Sequence, residues 1–201
     1  MKIVSGLVGL VLGALLGLGS ALAAAGIVGP GVSLGGKIDV QHWTSDWTIG
    51  SSAANPWTRA RVARHGLLAL TRAEAVYFTR NTDDAGDRLT ETCDYRVRGG
   101  DLPAQWWSVT LYNGESYLPD NTDNALSYDL TDAAATVEPA AWSFVVSPVS
   151  SASGEGWVSS RGAGNFDLTL RLYKPQDDLI ADPERVLQAP SIEKLGCGAA
   201  N

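Results

Sequence analysis

The chain has 201 residues, enough for one well-packed domain plus an appendage, with 22 acidic against 15 basic residues and a net charge of −7. Setting Lys2 aside leaves −8 on the remainder, the wrong sign for nucleic acid or for an anionic membrane surface. Acidity of this size is ordinary solubilising surface charge.

The first 29 residues form a region of their own. "IVSGLVGLVLGALLGLGSALAAAGIVG", from Ile3 to Gly29, holds no charge and exceeds the roughly 20 apolar residues needed to cross a bilayer. It reads either as a retained transmembrane anchor or as a signal segment. Ala21-Leu22-Ala23 before Ala24 fits a signal-peptidase site, while the length exceeds a signal core of roughly 7–15 residues and favours the anchor. Both readings export the rest of the chain. Lys2 and the amino terminus are the only charges before Lys37, which keeps the N-terminus cytoplasmic. The expectation is a single-pass inner-membrane protein with its C-terminal domain in the periplasm, or a periplasmic protein if the segment is cleaved. Gly9, Gly13, Gly17, Ala21 and Ala25 recur every four residues, a spacing that lets two membrane helices approach and form a homodimer.

Residues 30–54 read as a Gly-rich linker, "GPGVSLGG", followed by an extended segment with Trp43 and Trp47 on one face. From residue 55 to 201 the pattern is that of one domain. "NPWTRARVARHGLLAL" predicts a helix, with Asn55 as cap, Pro56 at its first position and Trp57, Ala60, Leu67 and Leu70 on the apolar stripe. Thr71 and Glu74 form a capping-box pattern for one further turn.

Strands follow. "VYFTR" leads into the turn-rich "NTDDAGD", which lacks the ligand spacing of a calcium loop and reads as a hairpin loop. In "TCDYRVRGG", Cys93, Tyr95 and Val97 share one face and Asp94, Arg96 and Arg98 the other. "WWSVTLYN" alternates equally well and ends in Asn113-Gly114, a strong short-hairpin signal. "WSFVVSPV" is a continuous apolar run, typical of a strand covered on both faces. In "FDLTLRLY", Phe166, Leu168, Leu170 and Leu172 point inward and Asp167, Thr169 and Arg171 outward. The expected fold is mainly β: an antiparallel sandwich or jelly-roll-like domain with one or two short flanking helices, preceded by a transmembrane helix.

Cys93 and Cys197 are the only cysteines, and a lone pair in an oxidising compartment forms a disulfide in most proteins. The bond would close a loop of about 100 residues, with a stabilisation of about 4–5 kcal/mol. The alternative is a reactive thiol, for which neither cysteine has a neighbouring histidine in sequence.

Signals for catalysis are weak. The chain has no Gly-x-Ser-x-Gly elbow, no phosphate-binding loop and only two histidines, His42 and His65, so no zinc, other metal or cofactor is expected. Carboxylates such as Glu74, Asp120 and Asp123 are the candidates for an envelope hydrolase or lyase. The tandem tryptophans offer a different chemistry. Trp107, Val109 and Leu111 point to the core, whereas Trp106, Ser108, Thr110 and Tyr112 share the opposite face over about 20 Å at roughly 3.3 Å per residue. That strip either packs under the helix carrying Trp57 or stacks a flat apolar or sugar-like ligand, joined by Arg96 or Arg98 from a neighbouring strand.

"NPWTRARVARHGLLAL", "EAVYF", "YRVRGGDLPAQWWSVTLYN" and "FDLTLRLYKP" resemble the bacterial domain of unknown function 1214 family, over roughly Asn55 to Pro190. The resemblance implies a β-rich, jelly-roll-like domain and carries over no catalytic residue. Longer members have a second uncharacterised domain upstream, where this sequence has the apolar segment and linker. Three roles follow as expectations: an envelope domain binding a small amphiphile, glycan or partner protein; a carboxylate-dependent enzyme; or a scaffold dimerised through its anchor.

Overall fold

Residues 2–29, 36–51, 54–64, 70–135, 141–150 and 155–198 are described by the structure, a computed structural model. The chain divides into two units, Met1–Lys37 with Asp46–Ala69, and Ile38–Ser45 with Leu70–Asn201.

In the first unit, α1 (Lys2–Ala24) is the apolar segment, and its Gly6–Ala24 stretch is long and apolar enough to cross a membrane. Its Val and Leu side chains are exposed along the helix. A second helix, α2 (Pro56–Arg64), starts where the sequence predicts. The Asn55 Oδ1 accepts from the backbone N–H groups of Trp57 at 3.0 Å and Thr58 at 2.9 Å, satisfying two donors of the first turn. The expected stripe continues to Leu67, which lies outside the described residues, and Leu70 is not helical.

Two sheets make up most of the second unit. One has six strands in the order β1 (Lys37–Val40), β2 (Trp43–Asp46), β3 (Ala75–Arg80), β9 (Phe166–Pro175), β5 (Ala104–Asn113) and β6 (Ser127–Asp129). The other has four, in the order β10 (Ser191–Cys197), β4 (Cys93–Arg98), β7 (Ser143–Ser147) and β8 (Gly156–Ser159). β7 and β8 run parallel, so the second sheet is mixed. The short helices α3 (Leu130–Ala134), α4 (Asp177–Ala181) and α5 (Pro183–Val186) complete the described elements.

The sandwich closes through the parity of its strands. Trp107, Val109 and Leu111 of β5 lie opposite Leu172, Leu170 and Leu168 of β9, and all six are buried. Val76 and Phe78 of β3 extend the layer. Tyr95, Val97, Phe144, Val146 and Ile192 form the facing layer of the second sheet. Rings join the two: Tyr128 stacks on Phe144 with centroids 4.7 Å apart, Trp107 on Trp142 at 4.5 Å, and Tyr95 meets Phe166 edge-on at 5.9 Å. The apolar run in β7 is buried on both faces from Phe144 to Ser147, as its composition predicts.

The extended segment around Trp43 enters the first sheet. Trp43 is fully buried and its Nε1 donates to the Pro190 carbonyl at 2.8 Å. β1 and β2 are joined by Gln41 and His42, with φ of 53° and 72°, a two-residue connection of the mirror-turn type that suits strand twist. Asn113-Gly114 makes no such turn. Asn113 Oδ1 instead accepts from the N–H groups of Glu115 and Tyr117, and β5 reaches its partner β6 only after residues 114–126. The "NTDDAGD" segment is a loop closed by a bridge between Thr82 and Arg88, with Asp83 Oδ1 accepting from Ala85 and Asp87.

The disulfide between Cys93 and Cys197 is present and ties the end of β10 to the start of β4. β10 is an edge strand, and it is also held by Asp84, whose Oδ1 accepts from the Ile192 N–H at 3.0 Å. Lys194 pairs with Asp83 and Asp87 of the same loop.

Candidate functional site

The outward face of the first sheet is built where its two longest strands pair. β5 and β9 each run ten residues, and their register sets Trp106 beside Tyr173, Ser108 beside Arg171, Thr110 beside Thr169 and Tyr112 beside Asp167. β3 adds Tyr77 beside Arg171 and Thr79 beside Thr169 from the other flank. Because strand side chains alternate, these residues share one face by the same parity that buries the leucines behind them.

Small hydroxyl residues form the floor and long side chains the rim. Ser108, Thr110 and Thr169 are buried, and the Thr79 and Thr169 hydroxyls hydrogen-bond at 3.1 Å. Above them Tyr77, Tyr112, Arg171 and Tyr173 are partly buried, and Trp106 is 36% exposed. The Trp106 and Tyr173 rings meet with centroids 5.3 Å apart and planes tilted by 59°. Arg171 reaches along the face toward Tyr112. Its Nη1 donates to Thr110 Oγ1 at 3.5 Å, its Nη2 donates to the Tyr112 hydroxyl, and its guanidinium carbon lies 5.3 Å from the Tyr112 ring centre.

Burial shapes the electrostatics of this face. Desolvation pushes the Tyr77 hydroxyl above its usual range, reinforced by the neighbouring Tyr173 and opposed by Arg171. Asp167 is raised to about 6, chiefly by burial, with the hydrogen bond from Thr169 and the charge of Arg88 pulling the other way.

The structure thus brings Trp106 and Tyr112 onto one face and supplies Tyr173, Tyr77 and Arg171 as their company. It does not bring Arg96 or Arg98 there. Both belong to β4 of the second sheet, where Arg96 pairs with Glu155 at 3.1 Å and Arg98 with Glu193. The strand next to β5 is β9, so the basic residue of this face is Arg171 instead; parity gives each residue its face without saying which strands are neighbours.

The carboxylates of the enzyme reading do not converge. Glu74 accepts from the Thr71 N–H and hydroxyl, both at 2.9 Å, which hold it below its usual range. Its carbonyl binds the Lys174 N–H near the C-terminal end of β9. Asp120 lies exposed next to Asn121, which is tied to Arg161 just before the other end of β9. A ten-residue strand of roughly 33 Å separates those ends. Asp123 is engaged by Arg161 and by the Ser159 hydroxyl. His42 is exposed in the β1–β2 turn, its N–H bound to Asp39. Among the described residues no group of three or more His, Cys, Asp or Glu side chains could hold a metal ion.

The family model described as "Protein of unknown function (DUF1214)" matches residues 74–177, just over half of the chain. The chain belongs to this family. The matched segment spans β3, β5 and β9, the strands that carry the aromatic face. No curated protein matches the chain. Among solved structures, the chain is similar to the VPA0106 protein from Vibrio parahaemolyticus, with a TM-score of 0.56 and 23% identity over 71% of this chain. It is also similar to an uncharacterized protein from Burkholderia cenocepacia, with a TM-score of 0.39 and 18% identity over 64% of this chain. The chain spans about a third of each of those structures, 36% and 31% respectively. The Vibrio likeness establishes a shared fold.

Proposed function

We propose that this family member is exported by its apolar N-terminal helix, remains anchored by it, and presents its β-sandwich to the periplasm. There the outward face of the six-stranded sheet binds a small amphiphilic or sugar-like ligand. The orientation rests on charge: Lys2 stays inside, and the next charged residue is Lys37. The cystine is the kind of cross-link an oxidising compartment maintains.

The observation that carries the binding role is the exposure of Trp106 beside the Tyr173 ring, above buried hydroxyls. Apolar rings left in solvent over a polar floor suit a ligand with a flat or pyranose face and hydroxyl groups. Calorimetric titration of the full chain, held in a sugar-free detergent, with p-nitrophenyl β-D-glucoside tests it. Saturable binding that Trp106→Ala weakens by roughly tenfold supports the reading. Binding that Trp106→Ala leaves unchanged, or no binding, contradicts it.

A further inference from the structure

Arg171 differs from five other arginines of the described residues. Arg80, Arg96, Arg98, Arg161 and Arg185 each pair with an Asp or Glu. Arg171, partly buried in the middle of the sheet face, pairs with no Asp or Glu among the described residues; its neighbours there are the Thr110 and Tyr112 hydroxyls, the Tyr112 ring and Tyr77. The acids on neighbouring positions are engaged elsewhere. Asp167 accepts from Thr169, and Asp129, across from Ser108 on β6, caps α3 by accepting from the N–H groups of Thr131 and Asp132.

A guanidinium presents five N–H donors in a planar fork. Among the described residues two are used by the hydroxyls. Removing a permanent charge from water without a counter-ion is costly, and such a group gains most when an oxyanion arrives. We propose that Arg171 recognises a carboxylate on the ligand of this face, so that the ligand is a sugar acid or an aryl-linked acid held against Trp106 and Tyr173. The inference rests on the binding reading above and adds the charge of the ligand. A single guanidinium balances a single carboxylate. A phosphate dianion would leave surplus negative charge on a face that also holds Asp167, in a chain already at −7.

The test compares two probes that differ only at one carbon, p-nitrophenyl β-D-glucuronide and p-nitrophenyl β-D-glucoside, by calorimetry on the full chain in a sugar-free detergent. The wild type should bind the glucuronide roughly ten- to a hundredfold more tightly. Arg171→Gln should abolish that preference, read as the ratio of the two affinities, and Arg171→Lys should fall between. If Arg171→Gln lacks a cooperative thermal transition, Tyr112→Phe serves instead, because it frees the guanidinium from its orienting hydroxyl and should cut the preference roughly threefold. Equal binding of both probes, lost together in Trp106→Ala, overturns the carboxylate inference and leaves the aromatic face standing. A glucuronide preference that survives Arg171→Gln, or that Tyr112→Phe leaves undiminished where the former does not fold, also overturns it. Absence of binding by either probe overturns both readings.

Discussion

Trp106 and Tyr173 meet across the pair of longest strands with ring centroids 5.3 Å apart, on the side of the sheet opposite the core. A tilted aromatic contact of this kind contributes about 0.5–1.5 kcal/mol beyond the area it buries. A double-mutant cycle with Trp106→Ala and Tyr173→Ala, measured by denaturant unfolding of the full chain, should return a coupling in that range. A coupling near zero would mean that the rings do not touch in solution.

The neighbouring tryptophan should behave in the opposite way. Trp107 is 3% exposed, stacks on Trp142 and closes the layer between the sheets. Trp107→Ala should cost about 3–5 kcal/mol, whereas Trp106→Ala should cost about 1–2 kcal/mol. Gly99 supports the same cluster from behind: a Cβ there would stand 2.1 Å from the Trp142 ring, so Gly99→Ala should destabilise by about 1–3 kcal/mol. Equal losses for the two tryptophans would contradict the assignment of faces.

These contrasts show what was legible from residues alone. Alternation in "WWSVTLYN" and "FDLTLRLY" is a local property of each strand, and it separated core from surface correctly at all of Trp107, Val109, Leu111, Phe166, Leu168, Leu170 and Leu172. Strand pairing is long-range. Nothing in either stretch says that Ser108 lies beside Arg171, more than sixty residues later. Arg96 and Arg98 therefore lie on the other sheet, while Arg171, which alternation turns outward, is the basic residue that pairing brings to the Trp106 face. The equal ten-residue lengths of the two strands were the one available hint. Turn chemistry misled in the other direction. Gln41-His42 adopts the tight connection that Asn113-Gly114 advertises, because the sheet's pairing and not the turn residues decides where the chain reverses.

Asp167 links pH to stability. Its carboxyl sits at about 6 in the folded protein against an ordinary 3.8, so the folded chain holds this proton more tightly than the unfolded one. Its contribution is therefore fully favourable below about 3.8 and is lost as pH rises through about 6. Asp167→Asn keeps an oxygen for the Thr169 hydroxyl and removes the charge. Thermal melts across this window should show the variant matching wild type in acid and exceeding it above about pH 6, by about 1–3 kcal/mol. A constant offset at every pH would show that Asp167 does not titrate there.

The cystine makes a prediction about location and stability together. Protein recovered from cells under thiol-blocking conditions should carry no alkyl label on Cys93 or Cys197 until it is reduced. Cys197→Ser should destabilise by about 2–5 kcal/mol and speed hydrogen exchange in β10 before the rest of the second sheet, since that strand is at the edge. Two labelled thiols in unreduced protein would contradict export to an oxidising compartment.

The most direct test of the binding face is a crystal structure of the full chain with p-nitrophenyl β-D-glucuronide. The ligand should lie on the outward side of the six-stranded sheet, one ring against Trp106 and Tyr173 and its carboxylate on Arg171. A ligand seated between the two sheets, or on the second sheet beside Arg96, would contradict it.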